Sequence, residues 1–378
     1  MRYSPIAAGL LTLASHRELL AQAEPCACGY SINTTIHPHF EVFTDYFETD
    51  FFHVDIFSKD RRNVLQWNRE DYNTSAQKSR RAYGTTKQQK NARLNVDPFD
   101  EDGELMHAGG PGMQLIVRHE LQDNRVPTAE IAHSNKDVLY GSFRAAIKFS
   151  GTNGTCGAFF WYRNDTQEID IEFLSKRPDT MNFVVHSPDS DLPSRSIKGS
   201  GDGGVLQRSH SSTTWQSIQQ YPEGFHEYRF DWMPDRVEFF VDGYPAWATT
   251  DNIPNSPGHL ALSHWSNGNP GWSGGPPMED AVMTVGYVKA YFNTTASHNK
   301  PMAKCGDFHA EAVCNVPHQV TRPEPNVSTH FFSVSHDEIK YDDGSDAKSG
   351  HSSASSFGMS GLVWTFLGAV CSAVYCLA

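Results

Sequence analysis

The sequence predicts an all-β protein, a sandwich or a barrel, on three observations. Turn-formers are abundant, with Gly 29 and Pro 21, while charged residues make up only 20%; this suits many short strands better than a helical bundle. Short runs rich in β-branched and aromatic residues recur between Gly, Pro, Asn and Asp, the pattern of strands between turns. No long stretch has apolar residues spaced for a helix, and no internal repeat is present. In chain order, strands are expected at 113–118, 140–149, 157–163, 168–174, 181–186, 226–232, 237–241, 259–263 and 283–292. Arg229-Phe230-Asp231-Trp232 and Arg236-Val237-Glu238-Phe239 place polar and apolar side chains on opposite faces. Val241-Asp242-Gly243-Tyr244 carries the Asp-Gly signal of a tight turn.

Size and charge narrow the function. The 378 residues suffice for a full core. Lys plus Arg is 31 and Asp plus Glu is 44, a net charge of −13, which argues against a nucleic-acid partner. A hydrophobic content of 38% and a mean hydropathy of −0.51 exclude a polytopic membrane protein. At the N-terminus a basic start, the apolar run from Ile6 to Ala14 and Ala21-Gln22-Ala23 form an expected secretory signal over 1–23. At the other end a small, polar stretch from Ser349 to Ser356 precedes an uncharged apolar run; together they read as a GPI-attachment signal whose tail, 361–378, is removed. The expected organisation is a sandwich over 24–293, an appendage over 294–333 and a polar stalk over 334–360. Secretion with a GPI anchor to the outer face of the plasma membrane or the cell wall follows, as does a monomer that meets the membrane only through that anchor.

Asn33, Asn73, Asn153, Asn164, Asn293 and Asn326 are glycosylation candidates in N-x-S/T sequons. In an oxidising compartment Cys26, Cys28, Cys156, Cys305 and Cys314 should pair with one left over. Cys305 with Cys314 is the first expected pair, and Cys26 or Cys28 with Cys156 the second. No Cys or His spacing suggests zinc.

The run Glu168-Ile169-Asp170-Ile171-Glu172-Phe173 carries the chemistry. On a strand its apolar residues face a core, and Glu168, Asp170 and Glu172 share the other side. Three like charges on one face repel one another, which an ordinary solvated strand has no reason to tolerate. By composition alone, such a pattern with apolar residues in both gaps arises about 0.1 times in a chain of this length. Immediately upstream, Phe159-Phe160-Trp161-Tyr162 and the turn pair Asn164-Asp165 complete a hairpin. A two-residue loop sets Trp161 opposite Glu168; a three-residue loop sets Tyr162 there. Either way aromatic rings adjoin carboxylates, an arrangement that suits a sugar. Two carboxylates flanking a glycosidic bond are what glycoside cleavage requires, and Asp170 between them would help drive their pKa values apart. Trp265, Asn267 and Trp272, in or beside a Gly/Asn/Pro-rich loop, and His186, at a strand end, are further substrate-binding candidates.

Glu168-Ile169-Asp170-Ile171-Glu172 resembles the E-[ILVM]-D-x-E signature of family-16 glycoside hydrolases. The segment 140–145, the paired strands at 225–232 with Val241-Asp242-Gly243, the loop 264–275 and Cys26-Ala27-Cys28-Gly29-Tyr30 also resemble secreted fungal, GPI-anchored members. The resemblance implies a jelly-roll β-sandwich of the concanavalin type, two antiparallel sheets with a substrate cleft on the concave one. It implies Glu168 as nucleophile, Asp170 as assisting carboxylate and Glu172 as general acid/base in retaining, endo-acting cleavage of β-1,3 or mixed β-1,3/1,4 glucan. The unbroken alternation resembles lichenases and wall transglycosylases more than laminarinases. Gln167 stands where many members carry an acid. No cofactor is implied; a structural calcium is common in the family, but no residues here can be assigned to it. Transglycosylation would use the same carboxylates, and a non-catalytic β-glucan lectin is a third reading that the acidic trio disfavours.

Overall fold

The computed structural model describes residues 26–32, 42–53, 66–79, 82–95, 111–149, 151–186, 212–216, 224–299, 312–319, 322–325, 327 and 329–333. The expected leader, stalk and apolar tail lie outside these, as do Asn33, Asn326 and Cys305. Early in the chain come β1 (Gly29–Ser31), β2 (Asp45–Asp50), β3 (Trp67–Arg69), β4 (Tyr72–Thr74), β5 (Gly84–Lys87), β6 (Ala92–Asn95), β7 (Gly112–Val117), β8 (Arg125–His133) and β9 (Leu139–Lys148). Then follow β10 (Cys156–Asn164), β11 (Gln167–Leu174), β12 (Thr180–His186), β13 (Ser212–Gln216), β14 (His226–Met233), β15 (Arg236–Val241), β16 (Tyr244–Thr249), β17 (His259–Trp265), β18 (Ala281–Asn293) and β19 (Val313–Asn315). Every expected strand is present, with ends displaced by two residues or fewer.

The strands form a jelly-roll sandwich. The front sheet runs β13-β12-β11-β10-β17-β8-β5-β4, with β3 also paired to β8; the back sheet runs β16-β15-β14-β9-β18-β7-β6, with β2 paired to β18. Pairing is antiparallel except for β5 with β8 and the separate pair β1 with β19. The core lies between the sheets. Phe159, Trp161, Ile169, Ile171 and Phe183 enter it from the front, and Phe143, Phe230, Trp232, Phe239 and Val288 from the back. Asp242 and Gly243 both take positive φ, 49° and 77°, which fits the tight turn expected between β15 and β16.

The outer face of the back sheet carries charged residues that are covered by the rest of the chain. Arg229 and Asp231 alternate with core residues as expected, yet both are buried, as are Arg144, Glu227 and Lys289. Residues 316–318 and 330–333 cover them. Arg144 Nη1 donates to the Pro317 carbonyl at 2.6 Å, and Lys289 Nζ to the His330 carbonyl at 2.6 Å. The Ser333 amide donates to Glu48 Oε2 at 2.8 Å. Arg229 pairs with Asp231, and Tyr287 donates to Glu227 at 2.6 Å. Each buried charge thereby meets a partner, the condition for burying it.

The expected cysteine pairs are corrected. Cys314 bonds to Cys26, not to Cys305, across a Cα–Cα distance of 4.9 Å. Cys28 is also disulfide-bonded, and Cys156 is free and buried, so neither expected pairing of Cys156 exists. The cause is topological: β1 and β19 lie side by side, Tyr30 facing Cys314, which joins the two flanks of the sandwich, while Cys156 sits on the front sheet. Asn293 is buried, and its amide is used within the fold, accepting from the Thr44 N–H and donating to the Val42 carbonyl; Asn73, Asn153 and Asn164 are exposed.

Candidate active site

The β10–β11 hairpin sets the register of the acidic strand. Its tip pairs Asn164 with Gln167, leaving Asp165 and Thr166 as the turn, and the ladder then shifts by one residue at Arg163. Asn164 Oδ1 holds the turn by accepting from the Thr166 amide and hydroxyl at 3.0 and 2.9 Å. The bulge decides which aromatics face the acids. Tyr162 stands opposite Glu168, Phe160 opposite Asp170 and Ala158 opposite Glu172. Residues directly opposite share a face, so Tyr162 lies on the acidic side and Trp161 does not. Trp161, expected as a substrate-binding candidate, is instead fully buried between the sheets. Its indole N–H donates to the Val138 carbonyl at 3.1 Å, and its ring packs on Trp232 at 4.3 Å between centroids.

Glu168, Asp170 and Glu172 lie together on the outer face of the front sheet, only 9%, 8% and 5% exposed. Such burial is costly for charge. Burial pushes Glu168 up to about 8; a hydrogen bond with Asp170 works against this, and the charges of Glu172, Asp165 and Glu130 add to it. Asp170 is raised well above the ordinary carboxylate range, first by burial and then by the charges of Glu168 and Glu172. The hydrogen bond between them favours ionised Glu168 and protonated Asp170. Glu168 ionises first and keeps Asp170 as a protonated donor, an acid/base split built from crowding.

The neighbours complete the face. His186 on β12 stands opposite Glu168, and Asn182 opposite Glu172; burial lowers the pKa of His186, favouring its neutral form. Tyr162 donates to Asp165 at 2.7 Å. Gln167, where an acid is usual in the resembled family, latches the loop beyond β16: its Nε2 donates to Ser256 Oγ at 3.2 Å, and its Oε1 accepts from the Asn255 amide at 3.1 Å. Trp265 and Trp272 are not open platforms. They are 3% and 5% exposed and close around Cys156 and Leu174 beside Glu172. Asn267 is buried too, its Oδ1 accepting from the Asn269 amide at 3.2 Å to shape the loop.

Residues not singled out from the sequence also belong to this face. Ser263 on β17 is opposite Ala158, and Glu130 on β8 opposite Ser263. Lys87 Nζ lies 2.8 Å from Glu130 Oε2 and donates to Ser263 Oγ at 2.5 Å, and Tyr72 donates to Glu130 Oε1 at 3.2 Å. Three strand spacings, about 14 Å, separate this cluster from the Glu172 strand. Four strands contribute to it, so no local spacing could reveal it. Its only signal is a polar residue alternating with apolar ones, as in Ala129-Glu130-Ile131. Among the described residues no group of three or more His, Cys, Asp or Glu is arranged to hold a metal ion.

Comparison with known proteins adds an independent finding. The model of the family described as glycosyl hydrolases family 16 matches residues 87–289. A beta-glucanase of Paenibacillus polymyxa is 28% identical over 191 residues, covering 48% of this chain and 67% of that protein. The Crh-like protein UTR2 of Candida albicans is 26% identical over 184 residues, covering 43% of this chain and 36% of that protein. Other beta-glucanases, from Paenibacillus macerans and Acetivibrio thermocellus, are spanned over 48% and 34% of their length. The solved beta-glucanase of Bacillus licheniformis superposes with a TM-score of 0.47 at 19% identity, covering 65% of this chain and 97% of its own.

Proposed function

The chain belongs to family 16 of the glycosyl hydrolases, and from that premise we propose that it cleaves β-1,3 or mixed β-1,3/1,4 glucan internally, with retention of anomeric configuration. The observation that carries this reading is the acidic trio: three carboxyls on one sheet face, nearly buried, with Glu168 and Asp170 pushed up and hydrogen-bonded to each other. A lectin gains nothing from burying three like charges, whereas double displacement needs one ionised and one protonated carboxyl.

In the proposed reaction ionised Glu168 attacks the anomeric carbon. The bond from that carbon to the leaving oxygen breaks as Glu172 gives this oxygen its proton. Asp170, hydrogen-bonded to Glu168, steadies the carboxylate before attack and the leaving carboxylate after it. Glu172 then takes a proton from water, whose oxygen displaces Glu168 from the anomeric carbon, and both residues return to their starting states. Tyr162 and His186 border Glu168 as sugar contacts. The beta-glucanases among the relatives support glucan as substrate. Secretion and a GPI anchor at the cell surface or wall remain part of the proposal, supported by the two end signals of the sequence and by a disulfide between the flanks.

Product analysis on laminarin, lichenan and labelled oligosaccharide acceptors tests the reading. Shorter products alone are expected. Products longer than the donor would convert the reading to wall transglycosylation through the same intermediate, and intact glucan in both cases would overturn it.

A further inference from the structure

Cys156 opens β10, outside any disulfide and buried. It stands opposite Leu174 on β11 and Trp265 on β17, which makes it the diagonal neighbour of Glu172 on the acidic face. Its sulfur lies 3.6 Å from Glu172 Oε1. Leu174, Trp265 and Trp272 close around it. The Trp272 indole N–H is buried and meets no acceptor in good hydrogen-bond geometry, yet it acts on the thiol closely enough to favour the anionic form.

We propose that Cys156 is a positioning residue for the general acid/base: its S–H donates to Oε1 of Glu172 and leaves Oε2 as the oxygen that carries the proton to the glycosidic oxygen. This rests on the reading of Glu172 given above. The direction of the bond follows from chemistry. Burial raises the thiol pKa well above its usual value, so the sulfur keeps its proton; that S–H has two acceptors in reach, Glu172 Oε1 at 3.6 Å and the Gly157 carbonyl at 3.7 Å, and the carboxyl oxygen is the nearer. A carboxylic acid has one O–H. With the thiol hydrogen on Oε1, a second hydrogen there would meet it head to head, so the acidic proton sits on Oε2. Trp272 packs against the same sulfur, which places the loop that carries it next to the thiol. A thiol is a weak donor, and the expected effect is correspondingly modest.

The test compares kcat/KM on glucan with kcat/KM on an aryl β-gluco-oligosaccharide whose dinitrophenolate departs without a proton. This constant reports binding and the steps through the first bond breaking, and leaves out hydrolysis of the glycosyl-enzyme. Cys156→Val is expected to lose about tenfold on glucan and no more than about twofold on the aryl substrate, and Cys156→Ser, which keeps a donor in place, to recover to within about threefold of wild type on glucan. Equal losses on both substrates would reduce Cys156 to a packing residue and overturn the proposal, as would no loss on either. Should the valine variant fail to fold, Cys156→Ala against Cys156→Ser makes the same comparison. Wild type inert on both substrates would instead defeat the functional reading itself, whereas a wild type active on both with a uniformly impaired variant defeats only the role of Cys156.

Discussion

Replacing Glu168 by Gln should abolish turnover and stabilise the protein, by an amount that grows with pH. The ordinary carboxyl value is 4.5, and Glu168 is raised to about 8 in the fold. Between those values the folded state holds a proton that the unfolded state has lost, so folding is penalised increasingly as pH rises. At about 1.4 kcal/mol per pKa unit, the penalty is at most about 1 kcal/mol at pH 5 and about 3 kcal/mol at pH 7, levelling near 5 kcal/mol above pH 8. Gln cannot ionise, so it escapes the penalty while keeping the shape. Buried His133 and His264, each lowered to about 4, bend the stability curve the opposite way at low pH, but they do so equally in both proteins. Glu168→Gln also removes the charge that raises Asp170, so the difference between the two melting curves reports the Glu168–Asp170 pair. In scanning calorimetry, Glu168→Gln should melt within about 3 °C of wild type at pH 5 and about 6–12 °C above it at pH 7, with hydrolysis reduced by about a thousandfold or more. Parallel melting curves across this range, or a gap that narrows as pH rises, would refute the reasoning.

Asp170→Ala removes the donor that favours ionised Glu168, so the acid limb of the pH profile of kcat/KM should move up by about one unit; Asp170→Asn keeps an N–H donor and should stay within about half a unit, and equal limbs in the two variants would contradict the donor role. Trp161→Ala should cost about 3–5 kcal/mol in denaturant unfolding with little change in kcat of the folded enzyme, because the ring lies in the core; lost activity at unchanged stability would return it to the substrate face. The Cys26–Cys314 bond spans 288 residues, and replacing both cysteines by Ser should cost about 2–5 kcal/mol, read as a lower melting temperature without reductant; a variant melting at the wild-type temperature would contradict this.

The strands were legible because their alternation is local. Ile169, Ile171 and Phe173 declare one face and Glu168, Asp170 and Glu172 the other without any knowledge of partners. What sat opposite them was not legible, since one bulged residue, Arg163, flips the parity of the neighbouring strand and sends Trp161 inward. Pairings between distant segments were equally hidden. Cys305 is near Cys314 in sequence, but the β1–β19 ladder brings Cys26 to it. Arg229 and Asp231 declare one face of their strand, but nothing near them in sequence announces that residues 316–318 and 330–333 lie over that side of the sheet. The Lys87–Glu130–Ser263 cluster exists only once three strands align.

The most direct test is to trap the intermediate. A 2-deoxy-2-fluoro gluco-oligosaccharyl donor with a good leaving group should form an adduct with the wild-type protein, and peptide mapping by mass spectrometry should place it on Glu168, with Glu168→Gln remaining unlabelled. An adduct on another carboxyl, or turnover of glucan that inverts the anomeric centre, would contradict the assignment of Glu168 and Glu172 as the nucleophile and acid of one reaction.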